Sequence, residues 1–168
     1  MAEIMDIVDE NDKVIKQATR KEVRKHNLCH RSTMIFVFNS KGEIFVQKRT
    51  NTKDIYPGYY DMACGGGVQA GETYEKSAYR ESSEELGLKN QKLQFLFKDR
   101  YESNKDRLLV HVFKTIYDGK LTLQKEEVVS GEFMSIKKLN KMLKKEKFCP
   151  DSVEMFKKFS QLSSFSTS

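Results

Sequence analysis

Gly65–Leu88, GGGVQAGETYEKSAYRESSEELGL, is the stretch that decides how the rest of the chain is read. Its middle has the marks of a helix from Tyr74 to Leu86, about three and a half turns long. Thr73 is a natural N-cap, Glu75 puts an acid in the first turn, and Gly87 suits the left-handed conformation that ends a helix. Ala78 and Leu86 are placed for a core, with Tyr74 beside them. Arg80, Glu81, Glu84 and Glu85 crowd the last turns, where Glu85 is expected at the helix surface. At about 100° per residue, Glu85 lies roughly 40° from Glu81 and Glu84 roughly 60° to the other side. Three carboxylates therefore share one strip, which repels itself unless something offsets the charge. A solvated acidic face and an oxygen-only site for a hard divalent cation both account for this strip.

The loop before the helix adds a second signal. Gly65, Gly66, Gly67 and Gly71 precede it, with Glu72 at its entrance, and glycines let main chain approach a ligand closely. From Gly66 onward the order fits G-x5-E-x7-R-E-U-x-E-E-x-G-U, where U is a bulky aliphatic residue, at every specified position but one. This resembles the Nudix hydrolase box. The departure is Ser82, where the family carries an aliphatic residue. A buried serine there can return its hydroxyl to the Ala78 carbonyl and leave the acids untouched.

Outside the box, DIVDENDKVI, CHRSTMIFVFNSKGEIFVQKR, PGYYD and the late EEV are similar to the Nudix proteins close to isopentenyl diphosphate isomerase, over roughly Asp6 to Phe156. The resemblance implies an α+β fold, an α/β/α sandwich with a mixed β-sheet. It implies Mg2+ or Mn2+ held by Glu81, Glu84 and Glu85 with the Gly65 or Gly66 carbonyl, and a Glu72–Arg80 pair tying loop to helix. It further implies a pyrophosphohydrolase acting on a phosphoanhydride bond, in a nucleoside diphosphate linked to another moiety, with Glu84 and Glu85 at the chemistry. Arg49 and Lys53 are candidates to hold a phosphate. Tyr56, Tyr59 and Tyr60 either stack on a base or pack, with packing the simpler reading, and Tyr60 is carried as a substrate-binding candidate. In LQKEEV an acid stands immediately before Val128, as in the relatives, which singles out Glu127 over Glu126 as a general base; solvated loop acids are the alternative.

Two other functions compete. An isomerase is suggested by Cys64-Gly65 and by His30 in CHRS, but the histidine that follows Cys-Gly in isomerases is absent, and the late catalytic glutamate position falls on Leu108. Cys64 then reads as a small buried thiol, and His30 and His111 as structural histidines. A non-catalytic nucleotide-binding module should have lost box carboxylates, and this chain keeps them.

Composition sets the outer bounds. The 168 residues, 38% hydrophobic, suit one Nudix domain over the whole chain, with the tail from about residue 163 frayed. No apolar run approaches the ~18 residues of a membrane span, and MAEIMDIVDE lacks the apolar core of a signal peptide. Three cysteines without a C-x-x-C pair suggest reduced thiols and a cytoplasmic protein. The net charge of +6 is spread, partly over an amphipathic Lys137–Lys147 stretch, which argues against nucleic acid as the partner; a small phosphorylated molecule is the partner that the resemblance implies. A homodimer is compatible with the sequence.

Along the chain, Ile4–Val8 and Lys13–Lys16 read as a hairpin, and Thr19 to His26 as a short basic helix. Arg31–Phe38 and Glu43–Arg49 read as strands joined by a turn at Asn39–Gly42. After the box come strands at Lys92–Tyr101 and Arg107–Tyr117, an ambiguous Leu121–Val129 and a short strand at Gly131–Ser135. Helices are expected at Ile136–Lys145 and Asp151–Leu162.

Overall fold

The structure, a computed structural model, describes residues 2–166. Its centre is strand β3 (Cys29–Phe38), paired in parallel with β7 (Arg107–Ile116) from Cys29↔Arg107 to Phe38↔Ile116. The apolar run MIFVF is buried on both faces, which is why it is continuous rather than alternating. Met34 and Phe36 pack toward one layer of helices and Ile35 and Val37 toward the other.

β1 (Ile4–Val8) and β2 (Val14–Thr19) form the expected hairpin, and β1 touches β3 at Ile7↔His30. Thr19 then caps α1 (Arg20–His26) through a reciprocal pair with Glu22. β6 (Gln94–Glu102) adds antiparallel to β7. β4 (Ile44–Arg49) pairs with β5 (Tyr60–Asp61) and with β8 (Val128–Met134), completing a mixed eight-stranded sheet. β8 begins three residues before the strand expected from sequence, because β4 supplies its partners. Gly131 belongs there: a Cβ on it would stand 2.2 Å from the Phe45 ring.

Helix α2 (Tyr74–Leu86) covers one face through Ala78 and Leu86. On the other, α3 (Ile136–Leu143) and α4 (Pro150–Ser166) bring Leu139, Met155 and Phe156 onto Phe36. The result is the α/β/α sandwich of the α+β class. Of the tail expected to fray from residue 163, the backbone is helical through Ser166; residues 167 and 168 lie outside the described residues.

β3 and β4 share a single register pair, Phe38↔Ile44, and then separate. Residues 60–67 run through the gap, joined to β4 by β5 and to β3 by the bridges Ile35↔Cys64 and Ser32↔Gly67. That splay opens the cavity in which the chemistry-bearing side chains meet.

Candidate active site

α2 has the expected ends. Thr73 accepts from the Lys76 amide at 3.1 Å, and Gly87 closes the helix at φ 71°. Ser82 is buried, but its hydroxyl donates to the Tyr79 carbonyl at 3.1 Å, not to Ala78. Both carbonyls lie within reach of a helical serine, and the nearer turn wins here. The Glu72–Arg80 pair forms and is bidentate, Nε to Oε1 at 2.7 Å and Nη2 to Oε2 at 3.0 Å. The Arg80 guanidinium holds the Glu72 carboxyl below its ordinary range. Arg80 Nη1 also donates to Glu81 Oε1 at 2.9 Å and to Glu84 Oε2 at 3.4 Å.

Glu85 is not at the surface, as the sequence suggested, but 7% exposed. The acidic strip faces the splayed strands instead of water; only Glu84, turned to one side, is half exposed. Gln47 of β4 donates from Nε2 to Glu85 Oε2 at 3.4 Å, and no cation pairs with Glu85 among the described residues. Burial pushes the Glu85 carboxyl up to about 8, with the charge of Glu81 adding and the Gln47 bond opposing. Glu81 is raised chiefly by burial, against the pull of Arg80.

The glycine loop lies against β3. A Cβ on Gly65, at φ 138°, would stand 2.1 Å from the Thr33 carbonyl oxygen, so no other residue fits. A Cβ on Gly66 would come within 2.9 Å of Glu81 Oε1, which puts loop backbone directly beside that carboxylate. The Gly66 carbonyl already accepts from the Thr33 amide at 3.0 Å and the Ser32 hydroxyl at 3.2 Å. Its two lone pairs are engaged, which leaves the Gly65 carbonyl as the main-chain candidate for a cation. Among the described residues no three His, Cys, Asp or Glu side chains converge as a ready cage, since Arg80 draws Glu81 and Glu84 to itself. The donor set still fits a hard divalent cation: oxygens only, around a buried carboxylate that lacks a counter-charge.

The cavity, about 560 Å3, is also lined by Arg49, Lys53 and Glu127, but not by Tyr60 or Glu126. Lys53 and Glu127 form an ion pair across it. Arg49 donates from Nη2 to the Ile55 carbonyl at 2.8 Å, while its Nε has no partner. The substrate role expected of Tyr60 meets a different placement. On the two-residue β5 its side chain faces away from that of Asp61, and its ring packs on Phe148 with centroids 5.6 Å apart.

Cys64 is a buried thiol on the cavity wall, raised well above the usual range by burial and by Glu85, Glu81 and Asp61. His30 is buried with Nδ1 donating to the Leu28 carbonyl at 3.0 Å, and burial lowers its pKa. His111 stacks on Tyr74 at 3.5 Å. Sequence reasoning missed Arg20, Arg24, Asp61, Asp106 and Asp151, which line the same cavity. Asp61 closes the PGYYD motif and Asp151 opens a helix, the only local signals they carry.

Residues 29–159 match the NUDIX domain family. The chain belongs to the Nudix family. A Nudix relative in Pseudomonas aeruginosa, "Uncharacterized Nudix hydrolase PA4841", is 40% identical over 91% of this chain and 90% of its own length. "Uncharacterized Nudix hydrolase YfcD" of Escherichia coli is 37% identical over 90% of this chain and 83% of its own. Among solved structures, DR0079 from Deinococcus radiodurans superposes with a TM-score of 0.81 at 25% identity, covering 93% of this chain and 98% of that one. A MutT protein from Methanosarcina mazei superposes at 0.68 over 80% of this chain and 95% of that one; at 21% identity it speaks for the fold alone. As a Nudix hydrolase the chain is an enzyme of the pyrophosphohydrolase type. No helix among the described residues is long and apolar enough to cross a membrane.

Proposed function

We propose that this Nudix enzyme uses Mg2+ or Mn2+ to hydrolyse a phosphoanhydride bond in a nucleoside diphosphate linked to another moiety. The observation that carries the reading is the strip Glu81, Glu84 and Glu85, facing a cavity that also presents Lys53, Arg49 and Glu127. Glu81, Glu84, Glu85 and the Gly65 carbonyl are the groups that would hold the cation. Bound there, a divalent ion neutralises diphosphate charge and makes a water more acidic.

The remaining work falls to the chain. Glu72 fixes Arg80, so the guanidinium keeps Glu81 and Glu84 in position. Lys53 and Arg49 orient the diphosphate and supply positive charge where the leaving oxygen develops negative charge. Glu127 receives the proton of the attacking water on a carboxylate oxygen, after the substrate draws Lys53 Nζ away from it. Three unpaired cysteines suit a reducing, cytoplasmic setting.

A screen over nucleotide sugars, ADP-ribose, dinucleoside polyphosphates and damaged nucleotides, each with Mg2+ and Mn2+ and read as new nucleotide products by anion-exchange chromatography, tests the reading. Cleavage that EDTA abolishes and a metal salt restores is expected. Absence of cleavage across the panel with both metals would overturn it.

A further inference from the structure

The cavity extends beyond the acidic helix to side chains for which the proposed hydrolysis has no use. Asp61 of β5 and Asp151 of α4 line it beside Gln47. Gln47 and Asp61 are directly opposed across β4 and β5, so their side chains share one face of the sheet. Asp151 reaches them because α4 starts against β5: the Cys149 amide donates to the Tyr60 carbonyl at 2.9 Å.

These groups accept hydrogen bonds, and Gln47 and Asp151 are short of donors. Gln47 is 4% exposed, and its amide Oε1 has no partner. A buried acceptor left this way costs free energy that a ligand donor would recover. Asp61 takes the Ala63 amide at 3.0 Å and is bonded also by the Ser152 and Cys149 side chains, while Asp151 takes the Ser152 amide at 3.0 Å. Neither carboxylate has a Lys or Arg within ion-pair distance among the described residues, whereas Asp106 nearby holds Arg24 at 3.1 Å. Burial pushes Asp151 up to about 7, with the charges of Asp61 and Asp106 adding, and raises Asp61 against the pull of Arg49 and of its hydrogen bonds.

What would complete the site is a group that brings several donors. Arg49 in the same cavity offsets part of the charge of Asp61 and Asp151, and Arg24 pairs with Asp106, which favours neutral donors over a further cation. The aromatic rings on the cavity wall, Tyr56 and His30, are 7% and 2% exposed and offer no open plane for a stacked base. We propose that Gln47, Asp61 and Asp151 form a subsite for a hydroxyl-rich group, a sugar or polyol, joined to the diphosphate. The link to the diphosphate rests on the pyrophosphohydrolase reading; the recognition of hydroxyls does not.

Calorimetric titration in EDTA separates the two, because nothing turns over. The probes are ADP-glucose and the β-methyl ester of ADP, which share everything but the sugar. Wild type should bind ADP-glucose at least ~30-fold more tightly, well inside what a site built to pair hydroxyls can discriminate. In Asp61→Asn and in Asp151→Asn the ratio should fall below about 5, as an acceptor becomes an amide. Either variant alone carries the test should the other fail to give a native circular dichroism spectrum. Equal binding of both probes to wild type, no binding of ADP-glucose, or an undiminished ratio in the folded variants would each overturn the subsite. Loss of Mg2+-dependent turnover for all compounds would instead defeat the hydrolase reading and leave the binding ratio standing.

Discussion

Glu85→Gln should separate activity from stability, with opposite signs. The carboxyl is buried, its only side-chain bond among the described residues is a 3.4 Å contact from Gln47, and burial pushes its pKa up to about 8 from an ordinary 4.5. Below pH 4.5 the group is protonated in both folded and unfolded chains, and it costs nothing. As pH rises, the unfolded chain releases the proton while the folded chain retains it, so stability falls through the window from 4.5 to about 8 and then levels. At pH 7 the gap of ~2.5 units, at about 1.36 kcal/mol each, corresponds to ~3 kcal/mol in the metal-free protein.

Glutamine has the same size and helix propensity, does not titrate, and can turn its amide toward the unpaired Gln47 Oε1. In EDTA at pH 7 to 8 the variant should therefore melt above wild type, by roughly 6–12 °C for a domain of this length. At pH 4.5 the two should nearly coincide. Adding Mg2+ should raise the wild-type midpoint more than the variant's, since the ion supplies the missing counter-charge. Turnover on the best substrate of the screen should fall by at least ~100-fold. Differential scanning calorimetry across pH, with and without EDTA, reads the first three results. A variant that melts below wild type in EDTA at pH 8 would refute the burial argument, and undiminished turnover would refute the ligand role.

Glu127→Gln should lower kcat by ~10²–10⁴ with little change in KM, whereas Glu126→Gln, which does not line the cavity, should be nearly silent. Equal small effects from both in steady-state assays would remove the protein base, and recovery at higher metal concentration would make Glu127 a ligand. Cys64→Ser should keep hydrolysis within a few-fold, because the thiol is held protonated by burial among carboxylates. Isopentenyl diphosphate isomerisation that vanishes in that variant would make the protein an isomerase.

Local chemistry explains which parts of the fold were legible. Tyr74–Leu86 was read to its boundaries because both ends are set by neighbours in sequence, a threonine cap and a left-handed glycine. The α1 cap at Thr19 is legible for the same reason. β3 and β8 begin earlier than the sequence pattern indicates, and in both cases a distant strand decides. Ile7 of β1 pairs with His30 at the start of β3, and β4 carries β8 back through Ser130 to Val128 by giving them Lys48 and Arg49 as partners.

The site follows the same division. The bidentate Glu72–Arg80 pair lies within the box, eight residues apart, and the resemblance of that box to the family's was enough to expect it. Helical periodicity also placed Glu81, Glu84 and Glu85 on one strip, but periodicity says nothing about what covers a strip. Burial of Glu85 depends on β3 and β4 parting after Phe38↔Ile44, and that divergence is a tertiary fact. Asp61 and Asp151 are harder still, since each is an isolated acid in the sequence, far from the other. They meet only because the chain returns after α3 to pair with Tyr60, with the Tyr60 amide donating to the Lys147 carbonyl at 2.9 Å. Acids that function through a shared cavity leave no mark on sequence spacing, so the half of the site that reads the substrate's second group is visible only in the folded chain.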